Sequence, residues 1–256
     1  MDIFSAIILG IVEGITEFLP ISSTAHLILT AKLLSIPETA VLKSFEIAVQ
    51  LGAILAVVTL YPTRLLRNKQ VQIRIAVSTI PTVLLGAICY PLIKKFLSGS
   101  ETSIMVILGA LLIGGIILIL FERRHRPQEG VIETMPLRTA FFIGLIQAIA
   151  FIPGVSRSGA SMIGGMLLGL RRTEAIEYSF LLAVPIMTAA TALDLYKSYG
   201  TFDSSALAPF VVGMLVAYIV AIIAIKSLLR FVSTHDLTPF GFYRIILALL
   251  FALLLL

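Results

Sequence analysis

Apolar residues run through this chain almost without a break, and the few breaks carry the information. Stretches of about 20 apolar residues, the length that crosses a hydrocarbon layer as a helix, occupy 44–62, 75–93, 102–121, 174–196, 207–229 and 240–256 and predict six transmembrane helices. Two more apolar stretches, 3–34 and 139–170, are each about 30 residues long and are interrupted near the middle by Pro, Ser and Gly. They are too long for one span and too short for two spans with a turn. Each predicts a re-entrant helix-loop-helix pair, since irregular backbone is tolerated at membrane depth where it is buried in protein or lines a polar cavity. The expected fold class is an all-α polytopic membrane protein.

A shift of 133 residues places Pro20 on Pro153, Ser23 on Ser156 and Phe45 on Tyr178, and with one gap it aligns Leu9-Gly10-Ile11-Val12-Glu13 with Ile143-Gly144-Leu145-Ile146-Gln147. The chain therefore reads as a single membrane domain of two repeats, about 1–121 and about 138–256, each a re-entrant pair followed by three spans. Three is odd, so the second copy is expected upside down relative to the first. Inverted-topology repeats of this kind place a site near the midplane, where the broken helices meet.

Composition agrees: 59% of residues are hydrophobic and only 13% are charged, against about 25% charged in a typical soluble domain. The net charge of +5 does not make a nucleic-acid binder, because the basic residues lie in short connections between apolar runs rather than in one patch. With alternating spans, thirteen of them fall on one side: Arg64, Arg67, Lys69, Arg74, Arg123, Arg124, Arg126, Arg138, Arg171, Arg172, Lys226, Arg230 and Arg244. Five fall on the other: Lys32, Lys43, Lys94, Lys95 and Lys197. The positive-inside rule makes the richer side cytoplasmic, so both termini are expected outside, with the first broken segment entering from outside and the second from the cytoplasm. The N-terminus lacks the basic stretch of a cleaved signal peptide, and Cys89, the single cysteine, excludes a disulfide within one chain.

Glu13, Glu17 and Arg157 stand inside the lipid-like stretches, and leaving such groups unpaired costs about 2.5–3.5 kcal/mol each at the bilayer centre. Glu13 and Glu17 are four residues apart, on one helix face, and two carboxylates this close invite a hard divalent ion such as Mg²⁺ or Ca²⁺. The competing structural reading protonates one of them. Pro20 ends the first half-helix, and Ser22, Ser23 and Thr24 suit the start of the next; together with free amides at a helix N-terminus they form a loop able to hold an anion. His26, three residues beyond Ser23, is a candidate base, acid or nucleophile. Arg157, flanked by Ser156 and Ser158, offers a guanidinium fork for phosphate oxygens, and it is the one cation expected in the membrane interior. Paired acids, a serine–histidine loop and an Arg-Ser loop suit phosphoryl transfer, and their depth suggests a lipid-linked phosphate.

The runs Glu13-Gly-Ile-Thr-Glu17-Phe-Leu-Pro-Ile-Ser22-Ser23-Thr24-Ala-His26 and Pro153-Gly-Val-Ser156-Arg157-Ser158-Gly-Ala-Ser161 resemble the two signature motifs of the undecaprenyl-diphosphate phosphatases, also called the bacitracin-resistance protein family. The resemblance covers the whole chain. It implies a bacterial plasma-membrane enzyme that removes the terminal phosphate of undecaprenyl diphosphate, dependent on a divalent metal ion, opening toward the outer side and acting as a homodimer. It assigns Glu13 and Glu17 to metal and catalysis, Ser23 or His26 to nucleophilic attack, Ser22 to the same loop, and Arg157 with Ser156 to the diphosphate. Phe45 and Gln50 look like pocket positions. The second motif of that family usually ends in threonine where this chain has Ser161.

Two other classes compete. The type 2 phosphatidic acid phosphatases need a histidine six residues after the Ser-Arg arginine, and position 163 is Ile163. A lipid-phosphate transporter or flippase is the stronger rival, because inverted repeats with broken helices are a transporter architecture.

Overall fold

The computed structural model describes residues 1–37, 39–96, 100–198 and 207–255. Leu256, the end of the sixth expected span, lies outside them, as do the side chains of Lys94, Lys95 and Lys197. The described residues form eleven α-helices and two short 3-10 turns. Five helices are long and apolar enough to cross a membrane: α3 (Ala40–Leu60), α5 (Lys69–Phe96), α6 (Ser100–Arg124), α9 (Arg172–Ser198) and α10 (Leu207–Val232). The sixth expected span is α11 (Thr238–Leu255), which is apolar and has 18 residues. All six match the hydropathy reading, with ends that differ by a few residues.

The two broken stretches are helix pairs. α1 (Ile3–Thr16) and α2 (Ser23–Leu33) form the first, and α7 (Leu137–Gln147) and α8 (Arg157–Leu167) the second. At 11 to 14 residues and about 1.5 Å of rise per residue, none of the four crosses a bilayer alone. Asp2 starts α1 by accepting the Ser5 amide at 2.7 Å, and Thr39 starts α3 by accepting that of Leu42.

Polar ties gather four connections at one end of the molecule. Arg64, in the short α4 (Pro62–Leu66), lies 3.2–3.7 Å from Glu133, Glu174 and Glu177. Burial opposes its charge, but Glu177, Glu174 and Glu133 outweigh burial and hold the guanidinium above its ordinary pKa. Gly130 bridges to Leu170, and Glu122 pairs with Arg172 while accepting the Leu237 amide at 3.1 Å. The α3–α5, α6–α7, α8–α9 and α10–α11 connections thus share one end, so the α7–α8 pair enters and leaves by that end. Replacing Glu122 by Ala strands the Arg172 charge and a buried amide; we expect a loss of about 2–3 kcal/mol, read as a lowered melting temperature in detergent.

The α1–α2 pair enters from the opposite end. Met1, Asp2, Leu34, Thr39 and Pro209 line one groove of about 540 Å³ there. α1 packs along α10, with Gly10 against Gly213 and Gly14 against Ala217 and Ala221; a Cβ at Gly10 would lie 2.6 Å from the Gly213 carbonyl oxygen. Without a hydrophobic force between helices in lipid, close approach through small residues is what holds such a crossing. The largest buried cluster, including Phe18, Met162, Tyr178 and Phe180, fills the space where the two pairs meet.

One sequence expectation is overturned. Arg157 is not the only cation in the interior: Arg244 is 2% exposed. Arg244 lies within α11 and not in the connection before it, so twelve of the thirteen basic residues assigned to the richer side keep a loop or helix-end role.

Candidate active site

Each half-helix ends because its sequence stops it. Glu17 follows the last turn of α1, and Pro20, which has no amide to donate, lies three residues on; the chain then turns through a 2.8 Å bond from the Ile21 amide to the Leu19 carbonyl. In the second pair the 3-10 turn Ala148–Phe151 leads into Pro153 and Gly154, whose φ of 94° favours glycine. Both loops then deliver a serine in the left-handed region, Ser22 at φ 71° and Ser156 at φ 76°, immediately before a new helix. Ser156 caps its helix by accepting the Gly159 amide at 3.1 Å. The backbone therefore pairs Ser156 with Ser22 rather than with Ser23. That extends the offset of Leu9 and Ile143 through to the serines, which sets Pro20 opposite Gly154 rather than Pro153, and the one-residue slip falls after them.

The loops meet and bond. The Ser158 hydroxyl donates to the Leu19 carbonyl at 2.7 Å, and Arg157 Nη2 lies 2.8 Å from Glu17 Oε1. The other Glu17 oxygen, Oε2, accepts the Ser23 hydroxyl at 2.5 Å. One carboxylate thus engages a serine hydroxyl on one oxygen and a guanidinium on the other. Arg157 is further held by the Ser179 carbonyl at 2.7 Å and lies 5.9 Å over the Phe18 ring. Ser179 in turn accepts the Ser161 hydroxyl at 2.7 Å, so Ser161 anchors the start of α8 to α9.

These groups surround a cavity of about 240 Å³ lined by Glu17, Ser22, Ser23, Thr24, Gln50, Ser156, Arg157 and Ser158, with Ala150, Phe151, Pro153, Gly154 and Met187 supplying the rest of its wall. The larger groove beside Met1 has Asp2 as its only charged side chain, whereas the candidate acid, hydroxyls and guanidinium converge on the smaller space. Of the sequence candidates, Glu13 and His26 do not line it. Both His26 ring nitrogens are engaged, Nδ1 with the Ser22 carbonyl at 2.8 Å and Nε2 with the Tyr243 hydroxyl at 2.7 Å. The ring stacks on Tyr243 at 5.6 Å. Phe45 is fully buried, packed edge-on against Phe210.

Glu13 is fully buried one turn before Glu17, and neither carboxylate oxygen has a hydrogen-bond partner. Two orphaned oxygens beside a second carboxylate, with Glu46 as a further electrostatic neighbour, suit a cation. Among the described residues there is no group of three or more His, Cys, Asp and Glu side chains able to hold a metal ion. A divalent ion here would complete its shell from hydroxyls, water and substrate phosphate, which is how Mg²⁺ is commonly held.

Of Arg244, Tyr243, Ser179 and Met187, three carry no mark of a site in the sequence, the loop role given to Arg244 aside. Only Ser179 carries a signal: the shift that pairs Phe45 with Tyr178 brings it opposite Glu46.

The profile of the family described as Bacitracin resistance protein BacA matches residues 6–250. The chain belongs to this family. Relatives named undecaprenyl-diphosphatase include one from Aquifex aeolicus, 50% identical over 254 residues and covering 98% of both chains. One from Wolinella succinogenes is 46% identical over 254 residues, with 98% of this chain and 97% of the other covered. One from Persephonella marina is 48% identical over 253 residues, with 99% of each covered. Within this BacA family chain, the two resembling motifs are the two loops that close on one another across the cavity.

Proposed function

We propose that this protein is an integral membrane phosphatase that hydrolyses undecaprenyl diphosphate to undecaprenyl phosphate and inorganic phosphate, recycling the carrier lipid of cell-wall synthesis and conferring bacitracin resistance. The observation that carries it is the Ser23–Glu17–Arg157 relay inside a cavity between the two broken helix pairs.

The Ser23 oxygen attacks the terminal phosphorus as its proton passes to Glu17, which is placed as a general base. The bond to the bridging oxygen breaks, and undecaprenyl phosphate leaves with the electron pair. Water then hydrolyses the phosphoserine and releases inorganic phosphate. Arg157, the serine hydroxyls of both loops and the amides at the starts of α2 and α8 hold the phosphate oxygens as charge builds on them. Gln50 and Thr24 complete the wall that orients the diphosphate. His26, tied through both nitrogens, holds the start of α2. Glu13 and Glu17 would hold Mg²⁺ or Ca²⁺, which would neutralise phosphate charge.

Phosphate release by purified protein in detergent is the test, since a flippase needs two compartments and a phosphatase does not. Release is expected to stop with chelator and to return with Mg²⁺ or Ca²⁺; full activity in chelator removes the metal from the scheme. Arg157→Lys keeps a charge but loses the fork, and we expect kcat/KM to fall about a hundredfold, measured on the same substrate.

We further infer a bacterial plasma-membrane location with the basic end in the cytoplasm, both termini outside and the cavity open to the outer side. The ion pairs of Arg64 and Arg172, which close the basic end, support access from the other. Cysteine-accessibility labelling of Thr39→Cys from outside intact cells checks this orientation. Two repeats of one ancestral unit, about 1–121 and about 138–256, and a homodimer complete the proposal; light scattering of solubilised protein reads the second.

A further inference from the structure

Arg244 is an arginine almost fully enclosed within an apolar helix, and among the described residues no carboxylate forms an ion pair with it. Its donors go to five backbone carbonyls instead. Nη1 reaches Pro20 at 3.2 Å and Val155 at 3.1 Å; Nη2 reaches Ala110 at 2.9 Å and Gly154 at 3.0 Å; Nε reaches Leu111 at 3.4 Å. Pro20 belongs to the first loop, Gly154 and Val155 to the second, and Ala110 and Leu111 to α6. One guanidinium therefore grips both loops one or two residues before each left-handed serine, Ser22 and Ser156, and ties both to a transmembrane helix.

A carbonyl and the amide of the next residue lie in one peptide plane and point in opposite directions within it. Holding the Val155 carbonyl on Arg244 thus turns the Ser156 amide the other way, and Ser156 lines the cavity. Only a planar fork with five donors satisfies this arrangement, whereas a lysine has three donors on one atom. Gly114 makes the space. A Cβ there would stand 2.1 Å from Nη2 and 2.7 Å from Cζ of Arg244.

We propose that Arg244, seated over Gly114, is a positioning residue that sets the two loops against each other so that Ser23, Glu17 and Arg157 meet at the phosphate. The proposal rests on the phosphatase reading for its kinetic arm but not for its structural arm.

The experiment uses full-length protein in detergent with Mg²⁺, undecaprenyl diphosphate as substrate, and three variants: Arg244→Lys, Gly114→Ala and Gly109→Ala. Gly109 lies on the same helix with open space where a methyl would stand, so Gly109→Ala should stay within twofold of the parent. Arg244→Lys and Gly114→Ala should each lower kcat at least tenfold per folded molecule with KM changed less than threefold. The double variant should be no worse than the poorer single, because both remove the same guanidinium contacts to the loops. In parallel, hydrogen exchange in peptides covering 17–24 and 152–158 should quicken at least tenfold in both loops together. Gly114→Ala behaving like Gly109→Ala, losses that multiply, or faster exchange in neither loop or only one would overturn the proposal. A parent protein that releases no phosphate defeats the phosphatase reading alone, and the exchange result still decides the clamp.

Discussion

Glu17→Gln is expected to lower kcat for phosphate release by about a thousandfold while leaving the fold intact. The amide is nearly isosteric with the carboxylate, so the Ser23 hydroxyl and the Arg157 guanidinium keep a neighbour of the same shape at 2.5 Å and 2.8 Å. What disappears is the acceptor for the Ser23 proton, and general-base catalysis is worth about 10²–10⁴-fold. Arg157 also loses its counter-charge, so at a metal concentration that saturates the variant the phosphate should bind at least as tightly as before. The signature is thus a large fall in kcat with an unchanged or lower KM. A Glu17→Gln protein with kcat near that of the parent would remove the carboxylate from proton transfer and leave it as a structural partner of Arg157.

Ser23→Ala carries the second large effect, and it divides the two nucleophile candidates. Removing the nucleophile from an engaged catalytic unit commonly costs about 10⁴–10⁶ in kcat, and here the residual rate would come from water placed by Glu17 and Arg157. His26 is held by Ser22 and Tyr243 and does not face the cavity, so His26→Gln should cost far less, about tenfold, through a loosened start of α2. Stopped reactions with substrate carrying a labelled terminal phosphate should trap label on Ser23 in the parent and none in Ser23→Ala. Label on His26, or a larger loss in His26→Gln than in Ser23→Ala, would reverse the assignment.

The spans were legible because lipid imposes one rule on composition: about twenty apolar residues in a row. The broken pairs were legible for a related reason, since Pro20 and Pro153 stop helices in apolar runs and few causes other than a buried loop explain that. The acids and Arg157 stood out by energetic cost. Arg244 did not, although its cost is the same. It lies six residues after Thr238, close enough to a helix start to pass for a boundary charge, and its carbonyl acceptors come from three segments 89 to 224 residues away in the chain. Nothing local in a sequence encodes that. The direction of His26 was equally hidden: its spacing from Ser23 puts it within one turn, but Tyr243, 217 residues later, decides where the ring goes.

The meeting of two loops that enter from opposite ends also bears on the rival reading. A carrier works by rocking one half past the other, so that the two mouths are never open together. Here the tips are latched to each other by Ser158 on Leu19, by Arg157 on Glu17 and by the grip of Arg244, and the α1–α10 crossing is cogged glycine against glycine. The two tips form one bonded unit. On the phosphatase reading, a machine built this way is an anvil rather than a turnstile: the lipid headgroup is brought to a fixed place and struck there.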